Sequence, residues 1–251
     1  MLLTACESPS AAATPAQVSP PTRQPSNPPT FQPANPPTRQ PSNLPTFQPS
    51  NSPPPQGGTA ALALVGQPDT LNPITTNDSA LRELTPLLFD TLLQVDPTTA
   101  QLQPGLAESW SYSDDGKKVV FQLPANLKWS DGKPLTAAAI AASLKATEHP
   151  ALLAFSQITA PNAATLELTF ARIDCAAVTT LAQLPLLPAD AILEPVPTGS
   201  GPFKIGEWSE NKRSLSLTRN RYYAGPAPLL DGLTIRFIAA DEVAVALSEG
   251  Q

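Results

Sequence analysis

Nucleophilic catalysis needs a base and an orienting group beside the nucleophile, and this chain offers a single histidine for that purpose. His149 stands in Glu148-His149-Pro150, next to an expected helix end, where it reads as a solvated side chain. Two cysteines, Cys6 and Cys175, do not make a disulfide framework. No spacing of histidine and cysteine fits a metal site, and neither a P-loop nor a dinucleotide fingerprint occurs. Carboxylate pairs such as Asp114-Asp115 have the character of turn residues rather than of an acid–base couple. The chain is therefore expected not to be an enzyme, and no catalytic residue, metal ligand or cofactor is assigned. The groups left over suit reversible hydrogen bonding. They are a polar loop, Asp69 to Asp78 (DTLNPITTND), and a glycine pair, Gly199 and Gly201, which lets the backbone turn tightly or approach another chain.

The elements that must position these groups follow from apolar spacing. Ala60 to Gly66 (AALALVG) reads as a short buried strand bounded by glycines. Asp78 or Ser79 caps a helix whose apolar positions are Leu81, Leu84, Leu87, Leu88 and Leu92, and Pro86 is expected to kink or delay it. Asp96-Pro97-Thr98-Thr99 gives a turn, and Leu106 to Trp110 enters a strand. Ser113-Asp114-Asp115-Gly116 has the residue types of a tight hairpin turn, followed by Val119, Phe121 and Leu123 with the period of a half-buried strand. Trp129-Ser130-Asp131-Gly132 is a second turn. Thr136 caps the helix AAAIAASLKA, with Ala139 where a capping box would place an acid. Thr165 to Phe170 alternates as a strand. Phe203 to Trp208 and Leu215 to Leu217 form a strand and its return, and Asp231 to Ile238 is a further strand before a helix from Asp241. Cys175 reads as a small buried apolar residue.

The order GLAESW, SDDGK, an alternating strand and KWSDGKPLTA, between Gln103 and Thr136, resembles the N-terminal lobe of bacterial extracellular solute-binding proteins of the peptide and nickel-binding family. Leu71-Asn72-Pro73, the run Pro197-Thr198-Gly199-Ser200-Gly201-Pro202-Phe203, Glu207-Trp208 and Arg219-Asn220-Arg221-Tyr222-Tyr223 extend the resemblance over Thr59 to Gln251. It implies an α/β, periplasmic binding protein-like II fold with a mixed sheet and antiparallel hairpins, cut off before most of its second lobe. It also implies a cleft whose mouth holds the Leu-Asn-Pro loop. First-lobe ligand contacts are then expected at Gln67, Asn72, Thr75, Asn77, Asp78, Gly199, Gly201 and Phe203, through strand edges and glycine-exposed backbone. The alternative at each position is a structural turn. Trp110, Trp129 and Trp208 are expected to pack in the core. The implied partners are a peptide or other small solute and the permease subunits of an ATP-driven importer, with the chain itself a monomer.

Sixteen of the 32 prolines lie between Pro9 and Pro55, where Arg23 and Arg39 are the only charges. Such a segment cannot offset its ordering entropy by burial and is expected to be extended or disordered. Within it Pro20 to Asn51 repeats an eight-residue unit four times, as PPTRQPSN, PPTFQPAN, PPTRQPSN and LPTFQPSN. The expected organisation is a remnant lipoprotein signal over 1–6, a tether over 7–58 and a solute-binding domain over 59–251. Leu3-Thr4-Ala5-Cys6 resembles a lipobox, with Cys6 as the lipidated residue. Only five residues precede it, so the resemblance implies a start upstream of Met1 or a copy that is not exported. The implied location is the cell envelope, at the outer face of the cytoplasmic membrane or in the periplasm, with membrane contact through the lipid alone. A net charge of −6 without a basic cluster argues against nucleic acid. The competing reading is a surface-anchored interaction or adhesion protein built on a degraded solute-binding domain.

Overall fold

The computed structural model of this chain describes residues 56–172 and 174–239. The readings for Cys6, for the tether repeats, for the side chain of Cys175 and for the helix from Asp241 lie outside the described residues.

Period-two alternation builds the first sheet. Strands β4 (Ser109–Tyr112), β5 (Lys118–Gln122), β6 (Phe155–Asn162) and β7 (Thr165–Phe170) lie in the order β4-β5-β7-β6, with every pair antiparallel. The register sets Val119 opposite Leu168 and Phe121 opposite Leu166, and all four are fully buried on one face. Helix α2 (Ala137–Thr147) lays Ile140 and Leu144 on that core, and α3 (Cys175–Leu181) adds Val178 and Leu181. Thr136 caps α2 as expected, its Oγ1 accepting the Ala139 N–H at 3.2 Å. The two acidic-glycine turns form as read. Gly116 (φ 65°) closes the β4–β5 hairpin, and Gly132 (φ 93°) donates its N–H to the Trp129 carbonyl.

A second core is built on strands β1 (Thr59–Val65), β8 (Phe203–Trp208), β9 (Ser214–Arg219) and β10 (Gly232–Ile238), ordered β1-β10-β9-β8. β1 runs parallel to β10 and the other pairs are antiparallel, so this sheet is mixed. Leu215, Leu217, Ile235 and Phe237 pack in one cluster with Leu81, Leu84 and Leu88 of helix α1 (Ser79–Leu88). The strand expected at Ala60–Gly66 is present but not buried. It is the edge of its sheet, and Leu62 and Val65 remain 44% and 47% exposed. Pro86 lies inside α1 without delaying it. Asp78 sets the start by capping, and the helix ends two residues beyond the proline, where the loss of one hydrogen bond costs least.

Leu93–Val95 (β2) and Leu102–Pro104 (β3) pair antiparallel across the expected turn at Asp96, whose Oδ1 accepts the N–H groups of Thr98 and Thr99 at 2.8 Å. Strands β2, β3 and β6, helix α3 and the 3₁₀ turn Pro150–Ala154 are elements that the sequence reading did not assign. His149 is half-buried rather than solvated, because its Nδ1 accepts the Ala151 N–H and caps that turn.

Candidate functional site

Helix α1 lines both cavities of the site, and its C-terminal turn holds the glycine loop through the Gly201 N–H donated to the Leu88 carbonyl. The Asp78 carboxylate accepts the N–H groups of Ala80 and Leu81 at 2.9 and 3.1 Å, which fixes the end of the polar loop to the start of the helix. From there an open cleft of about 810 Å³ runs along one side of α1. Asn77, Asp78, Arg82, Phe89, Asp90 and Tyr223 are among its lining residues, as are Gln94 of β2 and Gln183. A second cavity, of about 320 Å³, lies beside Leu88 and is lined by Ser130, Asp131, Thr198, Gly199, Phe203 and Lys204, among others.

The expected contact residues are therefore divided. Asn77 and Asp78 line the larger cleft, and Gly199 and Phe203 line the smaller cavity. Gln67 and Thr75 line neither; the Gln67 amide donates to the Asn211 carbonyl at 2.8 Å, and Thr75 is exposed on the loop. Asn72 is wholly buried. Its Nδ2 donates to the carbonyls of Ile192 and Glu194 at 2.9 and 2.8 Å, and its Oδ1 accepts the Ile74 N–H at 2.9 Å. Its side chain thus shapes the loop from beneath.

The glycine pair works by close approach rather than by positive φ. The Gly201 N–H donates to the Leu88 carbonyl at 3.0 Å, and the Gly199 carbonyl accepts the Ser130 N–H at 2.8 Å. A Cβ on Gly201 would lie 2.6 Å from the Leu88 carbonyl carbon. Asn220 locks the same loop, its Nδ2 donating to the Gly201 carbonyl at 2.8 Å from a buried position. Trp129 is buried in the first core, while Trp110 and Trp208 pack half-buried against the first and second.

Asp90 supplies the site's unusual electrostatics. Burial pushes its carboxyl up to about 6, and the hydrogen bond with Ser200 offsets only part of this. Its Oδ2 is buried without a hydrogen-bond partner. Burial, and then the Asp90 charge, raise the Tyr223 phenol above its ordinary value. Arg82, Asp90 and Tyr223 were not in the expected contact set. The available signal for Arg82 was its spacing of four from Asp78, which puts both on one face of a helix. Asp90 carried the signal of a carboxylate just beyond the apolar end of a helix, Leu87-Leu88-Phe89.

The fold is that of periplasmic binding proteins. A substrate-binding protein from Agrobacterium tumefaciens R10, solved with agropinic acid, superposes with a TM-score of 0.68 and 27% identity over 77% of this chain and 42% of its own. The oligopeptide-binding protein AppA of Bacillus subtilis, solved with a nonapeptide, gives a TM-score of 0.69 at 22% identity over 79% of this chain and 44% of its own. In sequence the chain is 31% identical to the "Probable D,D-dipeptide-binding periplasmic protein DdpA" of Escherichia coli K12, over 68% of this chain and 37% of the relative. Residues 101–251 match the family model described as bacterial extracellular solute-binding proteins, family 5 middle. The chain belongs to that family. It spans 37% of the length of this relative.

Proposed function

We propose that this chain is the substrate-binding part of an ATP-driven importer, which takes up a peptide or a related small solute and presents it to permease subunits. The observation that carries this reading is the open cleft of about 810 Å³ along α1, lined by several polar side chains and by Phe89, in a chain of this family. A relative named as a probable D,D-dipeptide-binding protein and a structural neighbour solved with agropinic acid support a small polar solute. Asn77 and Asp78 are the proposed contacts in this cleft, with Asn72 holding their loop in place, and Gly199 and Phe203 are those in the smaller cavity beside Leu88. The chain acts as a monomer without a cofactor, and nucleic acid is not its partner. It sits in the cell envelope, anchored through a lipid on Cys6, with the proline-rich segment as spacer.

Titration calorimetry of the purified chain against a mixed library of short peptides tests the binding step. Saturable heat at micromolar to low millimolar peptide supports the reading. No heat at high concentration counts against it.

A further inference from the structure

Two cations meet on one aromatic ring outside both cavities. The Lys128 Nζ lies 5.0 Å from the centroid of the Tyr222 ring, and the Arg221 guanidinium carbon lies 4.6 Å from it. Each contact alone is favourable, through the electron-rich face of the ring. Together they gather two like charges around one phenol, in a chain whose net charge is −6. Both cations are exposed, and among the described residues neither has an ion-pair partner. The acid of the adjoining turn, Asp131, is already engaged. Its carboxylate accepts the Lys133 N–H at 2.9 Å and pairs with the Lys133 ammonium at 3.3 Å.

The backbone holds the three side chains ready. Lys128 stands between the buried Leu127 and Trp129, in a short hairpin where it bridges to Pro134 and the Trp129 N–H donates to the Lys133 carbonyl at 3.0 Å. The turn of this hairpin touches the tyrosine, since a Cβ on Gly132 would lie 3.0 Å from Tyr222 Cε2. Tyr222 is fixed within its own loop by its N–H, donated to Oδ1 of the buried Asn220 at 2.9 Å. The phenol oxygen accepts an N–H from Arg221 at 2.6 Å, which leaves its own O–H available to donate.

The result is a set of donors without an acceptor: an ammonium, the remaining N–H groups of a guanidinium and a phenolic O–H. Two positive charges and a neutral donor match an oxyanion of nearly two negative charges with three acceptor oxygens, which describes a phosphate monoester at neutral pH. A carboxylate brings one charge and two oxygens, and fills the set less well. We infer that Lys128, Tyr222 and Arg221 form an anion site that takes a phosphate monoester, supplied by a free small phosphate or by a lipid headgroup. None of the three residues lines the cleft along α1 or the cavity beside Leu88, so the site stands apart from the proposed solute binding.

Titration calorimetry of the purified chain with inorganic phosphate, at an ionic strength held constant with sodium chloride, tests the site. Co-sedimentation with phosphatidylcholine vesicles, with and without phosphatidic acid, tests the source. Lys128→Gln and Arg221→Gln should each weaken binding about tenfold, as the loss of a charge-assisted hydrogen bond implies. Tyr222→Phe, which keeps the ring, should weaken it about threefold. Lys145→Gln removes the same charge from an exposed position on α2 and should leave binding unchanged. The melting temperature of each variant should match that of the parent. Saturable phosphate binding that falls in the three site variants supports the inference with a free phosphate as ligand. The same losses seen only with phosphatidic acid vesicles support it with a lipid headgroup as ligand. Binding that is equal in the parent and the site variants overturns the inference, as does an equal loss in Lys145→Gln, which would reflect net charge alone. No response to phosphate or to phosphatidic acid vesicles also overturns it, and binding of polyglutamate in that case would give the two cations to an acidic protein partner.

Discussion

Gly199 sits so near the end of α1 that a Cβ on it would fall 1.9 Å from the Leu88 carbonyl oxygen. That oxygen is not free to move, since it accepts the Gly201 N–H and belongs to the last turn of a helix buried on its apolar side. Gly199→Ala must push the loop off the helix and disturb Gly201, Ser130 and Asn220 together. The expected cost is about 3 kcal/mol, at the upper end of overpacking in a tight site. Gly206→Ala is the milder comparison, because the nearest atom to its Cβ would be the Ser216 hydroxyl at 2.8 Å, which can move at the cost of its hydrogen bond from the Glu207 N–H, and the nearest backbone atom would be 3.2 Å away. Chemical denaturation of both variants checks the contrast, and a mild Gly199→Ala would show that the loop is not held as described.

Asp90 makes stability depend on pH in the direction opposite to that of a salt-bridged carboxylate. Its folded-state pKa of about 6 lies above the ordinary 3.8, so the native chain holds the proton more tightly than the unfolded chain does. Below about pH 4 both states are protonated and the group contributes no penalty. As pH rises from 4 through 6 the native state must ionise a buried acid, and the penalty grows to about 3 kcal/mol before levelling off. Asp90→Asn removes this term. Denaturation midpoints at pH 5, 6, 7 and 8 should fall less in the variant than in the parent, and the variant should be the more stable at pH 7. Parallel pH profiles would refute the assignment.

Much of the fold was legible because its signals are local. Gly116 and Gly132 take the positive φ that their acidic-glycine turns require, and Val119, Phe121, Leu166 and Leu168 alternate as they are buried. The edge position of β1 was not legible. An apolar run such as AALALV looks the same at the centre and at the edge of a sheet, and only the pairing with β10 on one side decides. Strand β6 was hidden by its composition, since FSQITAPN carries a proline and exposes most of its side chains. The site was legible as loops and not as a surface. Asn72 and Asn77 lie five residues apart, yet the first is buried beneath its loop and the second lines the cleft. Asp90 and Tyr223 meet at that cleft from 133 residues apart in sequence, a juxtaposition that no local pattern encodes.

Asn72 holds its loop through three hydrogen bonds to main chain, two of them to residues 120 and 122 positions away. Asn72→Ala would leave two carbonyls and one N–H without these partners in an enclosed place and open a small void. About 3 kcal/mol of destabilisation is expected, within the range for several unsatisfied buried groups. Hydrogen exchange offers a sharper check than global stability. The Ile74 amide should lose protection in the variant, while amides of β5 and β7, in the other core, keep theirs as long as the chain remains folded.

Asp78 and Thr136 cap their helices to different extents, and the difference is measurable. The Asp78 carboxylate accepts two N–H groups and brings a negative charge to the positive end of α1, whereas the Thr136 hydroxyl accepts one N–H at 3.2 Å. Asp78→Ala should therefore cost about 1.5 kcal/mol and Thr136→Ala about 1 kcal/mol or less. Asparagine is also a good cap, so Asp78→Asn should recover most of the hydrogen-bonding part and lose only the charge term. Raising the salt concentration should then narrow the gap between Asp78 and Asp78→Asn, because the interaction of a charge with a helix end is screened. Urea denaturation of the three variants at low and high salt checks both statements. An Asp78→Asn variant as unstable as Asp78→Ala at high salt would mean that the carboxylate supports the loop by something other than capping.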